Sequence, residues 1–340
     1  MKNLPLKFAV PIILGTVLGA ASPPSSTVKP SSTASSATLD MDVLHLQVML
    51  DKLGFGPGVL DGKGGASLVN AIKGFQESRG LRVTGKADAP TLGALAPYRG
   101  WTPTKTLILS DQSLQGPFTW PFPKDPVEQG KLPALNYRNA AEALAERFHT
   151  TPAILVALNP GGRLVRGARL VVPNALPFTR AYKADDPVWA ASLNQLNVNA
   201  EQPQAKRIVV DKSDGVLRVF DAADKLVAQF TATMGSSRDP LPIGKWTVKG
   251  ADYNPKWTYN PAILKRADKS DPKVDVPAGP NSPIGVVWLD LSKPHYGIHG
   301  TNEPEKIGRA ESNGCIRLTN WDAARLALMV KPGTPAVFQP

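Results

Sequence analysis

From Lys206 to about residue 291 the chain is a series of short β-branched runs joined by turn residues, with no helical pattern between them. Arg207–Asp211 and Val216–Phe220 flank the turn residues 212–215, a spacing that predicts a β-hairpin. Further strand-like runs occupy 226–235, 245–248 and 286–291. Because successive hairpins without intervening helices favour an antiparallel sheet or a sandwich, residues 205–340 are predicted to form a mainly β-sandwich domain.

One helix is expected near the end of this region. Its predicted N-cap is Asn320, its body covers 321–330, and a last strand is predicted at 336–338. A long stretch rich in proline and asparagine, 252–285, separates two of the strands.

Residues 39–96 show the apolar spacing of helices instead. Apolar residues recur at helical intervals up to Gly54, which predicts a helix that stops there. Two more helices are predicted, over 67–79 and around 90–95. The chain as a whole is therefore predicted to be a multidomain α+β protein.

The middle of the chain is divided into three predicted segments. Residues 97–133 are a connector that contains a strand-like run at 106–109, and 176–204 are a polar linker. Between them, 134–175 are predicted to hold two helices and a strand, with Thr151 as the N-cap of the second helix.

The N-terminus has the pattern of a secretory signal peptide. Lys2 and Lys7 precede a short apolar run that ends in small residues, with cleavage predicted after Ala21. An uncleaved membrane anchor is the alternative. Residues 22–38 are almost wholly Ser, Thr, Pro and Ala, which predicts a flexible linker. An exported protein of the periplasm or cell wall is expected.

The charge restricts the partners without identifying one. A net charge of +11 suits nucleic acid, an anionic membrane or an acidic polymer. Because no cluster of Lys and Arg is interleaved with aromatic residues, nucleic acid is not expected as a partner, and the membrane is expected to be touched only through an uncleaved signal segment.

Cys315 is the single cysteine in 340 residues, so it cannot form a disulfide within its own chain. His299 lies sixteen positions before it. A histidine that accepts the thiol proton turns a cysteine into a nucleophile, and successive N–H groups of Asn313, Gly314 and Cys315 would form an oxyanion hole. A buried, inert thiol is the alternative. No metal site is expected, because zinc ligand spacing is missing, and no cofactor is implied.

The segments 296–301 (Tyr-Gly-Ile-His-Gly-Thr) and 312–318 (Ser-Asn-Gly-Cys-Ile-Arg-Leu) together resemble the signature of the L,D-transpeptidase catalytic domain, the YkuD family. The resemblance extends over about 206–339. It departs at Asn313, where many members have histidine.

The resemblance implies a β-sandwich and a mechanism. Cys315 would attack the peptide bond before the terminal D-alanine of a peptidoglycan stem and pass the acyl group to an amine, with His299 moving the proton. The residues implied in orientation or substrate binding are Gly300, Ser312, Arg317 and Tyr296, and His295 is expected at the rim or in packing.

Two upstream regions resemble wall-binding modules. Residues 39–96 are similar to the three-helix peptidoglycan-binding domain, and 134–175 resemble a LysM module, a βααβ unit that binds N-acetylglucosamine polymers. Peptidoglycan is therefore the expected partner, with a wall protein as a further candidate acyl acceptor. An L,D-carboxypeptidase and a non-catalytic peptidoglycan-binding protein remain the alternative functions.

Overall fold

A large β-sheet dominates the C-terminal part of the chain in a computed structural model, which describes residues 39–237, 239–262, 267–309 and 314–340. The predicted signal peptide and flexible linker lie outside the described residues, as do Ser312 and Asn313. None of the helices in the described ranges combines the length and the apolar character needed to cross a membrane.

In chain order the helices among the described residues are α1 (Met41–Lys52), α2 (Ala66–Ser78), α3 (Ala89–Leu95), α4 (Asp111–Leu114), α5 (Pro126–Gln129), α6 (Ala140–Arg147), α7 (Pro152–Leu158), α8 (Pro187–Gln195) and α9 (Asn320–Met329). The strands are β1 (Phe55–Gly56), β2 (Thr104–Ile108), β3 (Arg169–Pro173), β4 (Arg207–Asp211), β5 (Val216–Phe220), β6 (Leu226–Thr231), β7 (Thr233–Met234), β8 (Gly244–Tyr253), β9 (Trp257–Tyr259), β10 (Val274–Val276), β11 (Val287–Leu291), β12 (Gly297–His299), β13 (Ile316–Arg317) and β14 (Pro335–Gln339).

The sheet has ten strands in the order β1-β6-β5-β4-β14-β8-β11-β12-β13-β7. The long strand β8 connects two halves: its first residues pair with β14, and its later residues pair with β11. Inward residues of both halves, such as Phe230 and Ile298, belong to one hydrophobic core that also includes Trp321 of α9. The predicted α+β fold class with a large β domain is confirmed.

The N-terminal helices are joined to this sheet. The two residues of β1 follow α1 and pair in parallel with β6, Phe55 opposite Gln229. The core of the helical region, built around Leu50, Phe55 and Phe75, also takes in Leu226 of β6. The sequence did not predict this strand, because two residues are too few to show a periodic pattern. The helix stop predicted at Gly54 is confirmed by its positive φ of 89°.

The region predicted to resemble LysM contains α6 and α7 over a two-stranded antiparallel sheet of β2 and β3. The first of these strands lies at Thr104–Ile108, outside the predicted bounds of 134–175 and within the predicted connector. Because α4 to α7 lie between β2 and β3 in the sequence, no local pattern predicts that these two strands pair. Thr151 precedes α7 as predicted, with Pro152 in its first turn, but its side chain makes no capping hydrogen bond.

Two local predictions were wrong. The segment 176–204, predicted as a linker, contains α8, whose Trp189 and Leu193 are buried in the main core. Asn320 is the first residue of α9 and not its cap, since Thr319 accepts a hydrogen bond from the backbone N–H of Asp322. The Asn320 side chain is thereby available for other contacts.

A buried group of charges joins α1 to α9. Arg325 donates from two nitrogens to the Asp51 carboxylate, at 2.8 and 2.9 Å, and His149 Nδ1 lies 3.0 Å from the same carboxylate. Burial alone would raise the pKa of Asp51, but the charges of Arg325 and His149 outweigh it and hold that pKa well below its usual range. Residues 39–340 thus form one compact unit.

Candidate active site

Cys315 and His299 line one cleft beside β12 and β13, with a volume of about 580 Å³. Its other lining residues come from the end of β8 through β9, from β11 and the segment before it, and from the two predicted motifs together with the preceding His295. They include Asp252, Lys256, Trp257, Pro283, Ile284, Trp288, His295, Tyr296 and Arg317. The cleft therefore brings together the two predicted catalytic residues and three of the other singled-out residues.

The strand register explains how residues sixteen positions apart meet. Strands β12 and β13 are parallel, with Ile298 opposite Ile316 and His299 opposite Arg317. Cys315 directly precedes Ile316, and side chains alternate between the two faces of a strand. Cys315 and Arg317 consequently lie on the same face as His299.

The His299 ring is held by two neighbours. Its Nδ1 lies 2.7 Å from the carbonyl oxygen of Gly300, and its ring stacks on Trp288 with 5.3 Å between centroids. Because a carbonyl oxygen only accepts hydrogen bonds, Nδ1 carries the hydrogen. This leaves Nε2 as the proton acceptor of the imidazole.

Both catalytic candidates are shifted toward their neutral forms. Burial, with a further contribution from the charge of Arg317, lowers the pKa of His299 from 6.5 to about 3. Burial also raises the pKa of the Cys315 thiol, although a backbone hydrogen bond from Gly297 and the charge of Arg317 oppose the rise. The resting pair is therefore a thiol and a neutral imidazole.

Glycine is required at position 314 for two reasons, its backbone conformation and the close packing of the Tyr296 ring. Its φ is 96°, in the left-handed region that disfavours other residues. A Cβ atom placed on Gly314 would lie only 2.8 Å from Cε1 of Tyr296. The Tyr296 ring thus occupies the side of Gly314 from which a side chain would project.

The remaining predicted residues are placed as follows. His295 is exposed on the rim, and its carbonyl oxygen lies 4.0 Å from Cys315 Sγ. Arg317 is half-buried in the cleft. Ser312 and Asn313 are outside the described residues, so the structure describes only Gly314 and Cys315 among the predicted oxyanion-hole residues. Among the described residues no three candidate metal ligands cluster together.

Comparison with known proteins places these features in a family. Residues 205–338 match the model of the L,D-transpeptidase catalytic domain (YkuD), and residues 40–95 match a "Putative peptidoglycan binding domain". A relative from Bacillus licheniformis, described as "Putative L,D-transpeptidase YkuD", is 30% identical over 203 residues, which cover 58% of this chain and 93% of the relative. The chain belongs to the L,D-transpeptidase family.

Other similarities cover smaller shares. The Bacillus subtilis protein of the same description is 58% identical over 55 residues, 16% of this chain and 34% of that protein. An L,D-transpeptidase structure from Mycobacterium smegmatis aligns with a TM-score of 0.32 and 21% identity, over 39% of this chain and 58% of that one. The chain thus spans less than two thirds of each of these two proteins.

The resemblances to the L,D-transpeptidase catalytic domain and to the peptidoglycan-binding domain are confirmed. Membership of the L,D-transpeptidase family supports enzymatic activity in cell-wall cross-linking, and the two matched domains support peptidoglycan as the substrate. The LysM-like module and the domain bounds remain predictions, apart from the linker predicted at 176–204, which contains α8.

Sequence reasoning missed two residues of this L,D-transpeptidase site. Trp288 was noted only as part of a strand, although it stacks on His299. Asn320 was interpreted as a helix cap, although its amide lies against the backbone of Gly300. Trp288 becomes recognisable only when β11 is paired with β12, which places it opposite His299.

Proposed function

We propose that this chain is an exported L,D-transpeptidase with Cys315 as its nucleophile. The observation that carries the proposal is the single cleft in which Cys315 and His299 lie on one face of paired strands, with His299 Nδ1 bound to a backbone carbonyl. An inert structural thiol would need neither the cleft nor the oriented imidazole.

The first half-reaction forms a thioester. Cys315 Sγ attacks the carbonyl carbon of the third stem residue, at its L-centre, in the peptide bond to the terminal D-alanine. At the same time Nε2 of His299 takes the thiol proton. The backbone N–H groups at Gly314 and Cys315, and at Asn313, are proposed to stabilise the oxyanion. When the C–N bond breaks, His299 returns the proton to the departing amine of D-alanine.

The second half-reaction transfers the acyl group. An amine of a neighbouring stem, or of a wall protein, attacks the thioester, gives its proton to His299 and expels the Cys315 sulfur, which is reprotonated. Arg317, Tyr296 and Ser312 are proposed to bind or orient the donor stem. No cofactor takes part in this scheme.

Export is part of the proposal, because the substrate lies outside the cytoplasmic membrane. The basic residues and apolar run of the first 21 positions support a cleaved signal peptide. Intact-mass measurement of the protein recovered from the cell envelope should give a chain that begins at Ser22. The LysM-like region is proposed to add affinity for glycan strands.

Incubation of the purified protein with tetrapeptide muropeptides tests the activity. We expect cross-linked dimers and free D-alanine from the wild type, and neither product from C315A, which should still bind sacculi. Tripeptides without dimers would identify an L,D-carboxypeptidase instead, and unchanged muropeptides would indicate a non-catalytic wall-binding protein. Activity that survives in C315A would refute the nucleophile assignment.

A further inference from the structure

The side chain of Asn320 joins three parts of the molecule at one buried point. Its Oδ1 accepts hydrogen bonds from the backbone N–H groups of Val286, at 3.2 Å, and Thr301, at 3.1 Å. Its Nδ2 donates to Glu146 Oε1, at 2.8 Å, and to the carbonyl of Pro280, at 3.1 Å. Asn320 is fully buried, so all four hydrogen bonds are made inside the protein.

The Asn320 amide lies directly against the backbone that holds the catalytic histidine. A Cβ atom on Gly300 would collide with Asn320 Oδ1, so the close approach depends on glycine at that position. Gly300 is also the residue whose carbonyl accepts the hydrogen bond from His299 Nδ1. Any movement of the amide is therefore transmitted through one peptide unit to the His299 ring.

Glu146 holds the NH2 end of this amide. The Glu146 carboxylate is buried, and its two oxygens accept hydrogen bonds from Asn320 Nδ2 and from the Tyr137 hydroxyl, at 2.8 and 2.6 Å. The Glu146 oxygen accepts from Nδ2, opposite the two backbone N–H groups that donate to Oδ1, so the amide satisfies all of its partners in one orientation only. The amide oxygen is then directed to Thr301, beside Gly300.

Burying Glu146 costs desolvation free energy that an apolar residue at the same position would not. Among the described residues no cation lies within ion-pair distance of its carboxylate. Burial of a carboxylate without a cation carries a large desolvation cost, and an apolar side chain would pack on α6 without it. The hydrogen bonds that Glu146 accepts from Asn320 and Tyr137 offset part of that cost.

We propose that Glu146 and Asn320 are positioning residues for His299, so that helix α6, in the LysM-like region, is required for efficient catalysis by the C-terminal domain. The effect on acyl transfer rests on the proposed function, whereas the effect on the imidazole can be measured without it. We call this chain of contacts the relay. Glu146 holds the Asn320 amide, Asn320 binds Thr301 and lies against Gly300, and the Gly300 carbonyl binds His299.

Four variants test the relay in the full-length protein. E146A should lower kcat for muropeptide dimer formation about 10-fold, with KM within 2-fold, because a misplaced catalytic group slows the chemical step. E146Q keeps an acceptor for Asn320 and should retain most of the activity. N320D places two carboxylates against each other and should lose more than 10-fold, whereas E146Q/N320D restores a donor opposite an acceptor and should recover part of that loss.

A second readout follows the His299 imidazole directly. Long-range proton–nitrogen NMR spectra of histidine-labelled protein should show a single Nδ1–H tautomer in the wild type and in E146Q. The same spectra should show a shifted or averaged tautomer in E146A. If the wild type forms no product while these spectra change as expected, the proposed function fails and the relay stands.

L155A is the matched control for loss of stability in the same region. Leu155 is buried in the core under α6 and α7 and takes no part in the relay. L155A should lower Tm while kcat, measured below its unfolding transition, stays near the wild-type value. If E146A reduces kcat no more than L155A does and leaves the His299 spectrum unchanged, the proposal is overturned.

Discussion

The Cys315–His299 pair is expected to be uncharged in the free enzyme. Burial raises the pKa of the Cys315 thiol and lowers that of the His299 imidazole from 6.5 to about 3. The His299 shift alone corresponds to about 5 kcal/mol against charging the imidazole, and the raised thiol pKa further opposes moving the proton from sulfur to nitrogen. Attraction between the resulting charges returns only about 4 kcal/mol for a separation of 4 Å at an effective dielectric constant of 20.

Alkylation by iodoacetamide measures the thiolate directly, and Cys315 is the single cysteine, so every thiol adduct, located by peptide mapping, reports on it. From pH 5 to 9 the alkylation rate should rise about tenfold per pH unit without a plateau, because the thiolate fraction rises in that way below the thiol pKa. H299Q should follow nearly the same curve while losing acyl transfer. C315S serves as the unlabelled control.

A charged pair would behave differently. A thiolate held by an imidazolium would react at a constant rate between pH 5 and 7, and H299Q would abolish that reactivity. Such a plateau would refute the argument that burial of His299 and Cys315 keeps both of them neutral.

Three further predictions concern the surrounding structure. G314A should lower kcat about 100-fold or more at nearly unchanged far-UV circular dichroism, because its Cβ would collide with the Tyr296 ring; full activity would contradict the assigned backbone. Burial raises the pKa of both Asp322 and Glu146 to about 7. The folded protein therefore binds protons at these two groups that the unfolded chain has already released, and the resulting stabilisation is lost as pH rises through 7. Between pH 6 and 8.5 this loss should be about 1.4 kcal/mol for each group in urea titrations, and D322N or E146Q should flatten the dependence. D51A should cost about 3–5 kcal/mol of unfolding free energy, since it leaves a buried guanidinium without its bidentate partner, and a loss below 1 kcal/mol would contradict that assignment.

The sequence predicted best where the signal is local. The hairpin of 207–220 was expected from its β-branched runs and turn, and it forms with Asp211 opposite Val216. Cys315 and His299 were identified by residue type and spacing, and both line the cleft. Local patterns of this kind depend on neighbours in the chain, which the sequence displays directly.

Features that depend on distant contacts were missed. The strand β1 has only two residues and forms because it pairs with β6. Helix α8 was not predicted, because only two of its residues, Trp189 and Leu193, are buried and the surrounding sequence is polar. Asn320 has the type and position of a helix cap, yet its role depends on Glu146, 174 positions away. No pattern along the chain reports a hydrogen bond of that separation.

Trapping the acyl-enzyme tests the central claim most directly. The protein is mixed with a tetrapeptide donor whose free side-chain amine has been acetylated, so that the donor cannot also serve as acceptor. The reaction is quenched within seconds and measured by intact mass and peptide mapping. The account predicts a mass increase equal to the donor minus D-alanine, located on the peptide that contains Cys315 and missing in C315A. Release of D-alanine without such an adduct, or an adduct on any other residue, would contradict it.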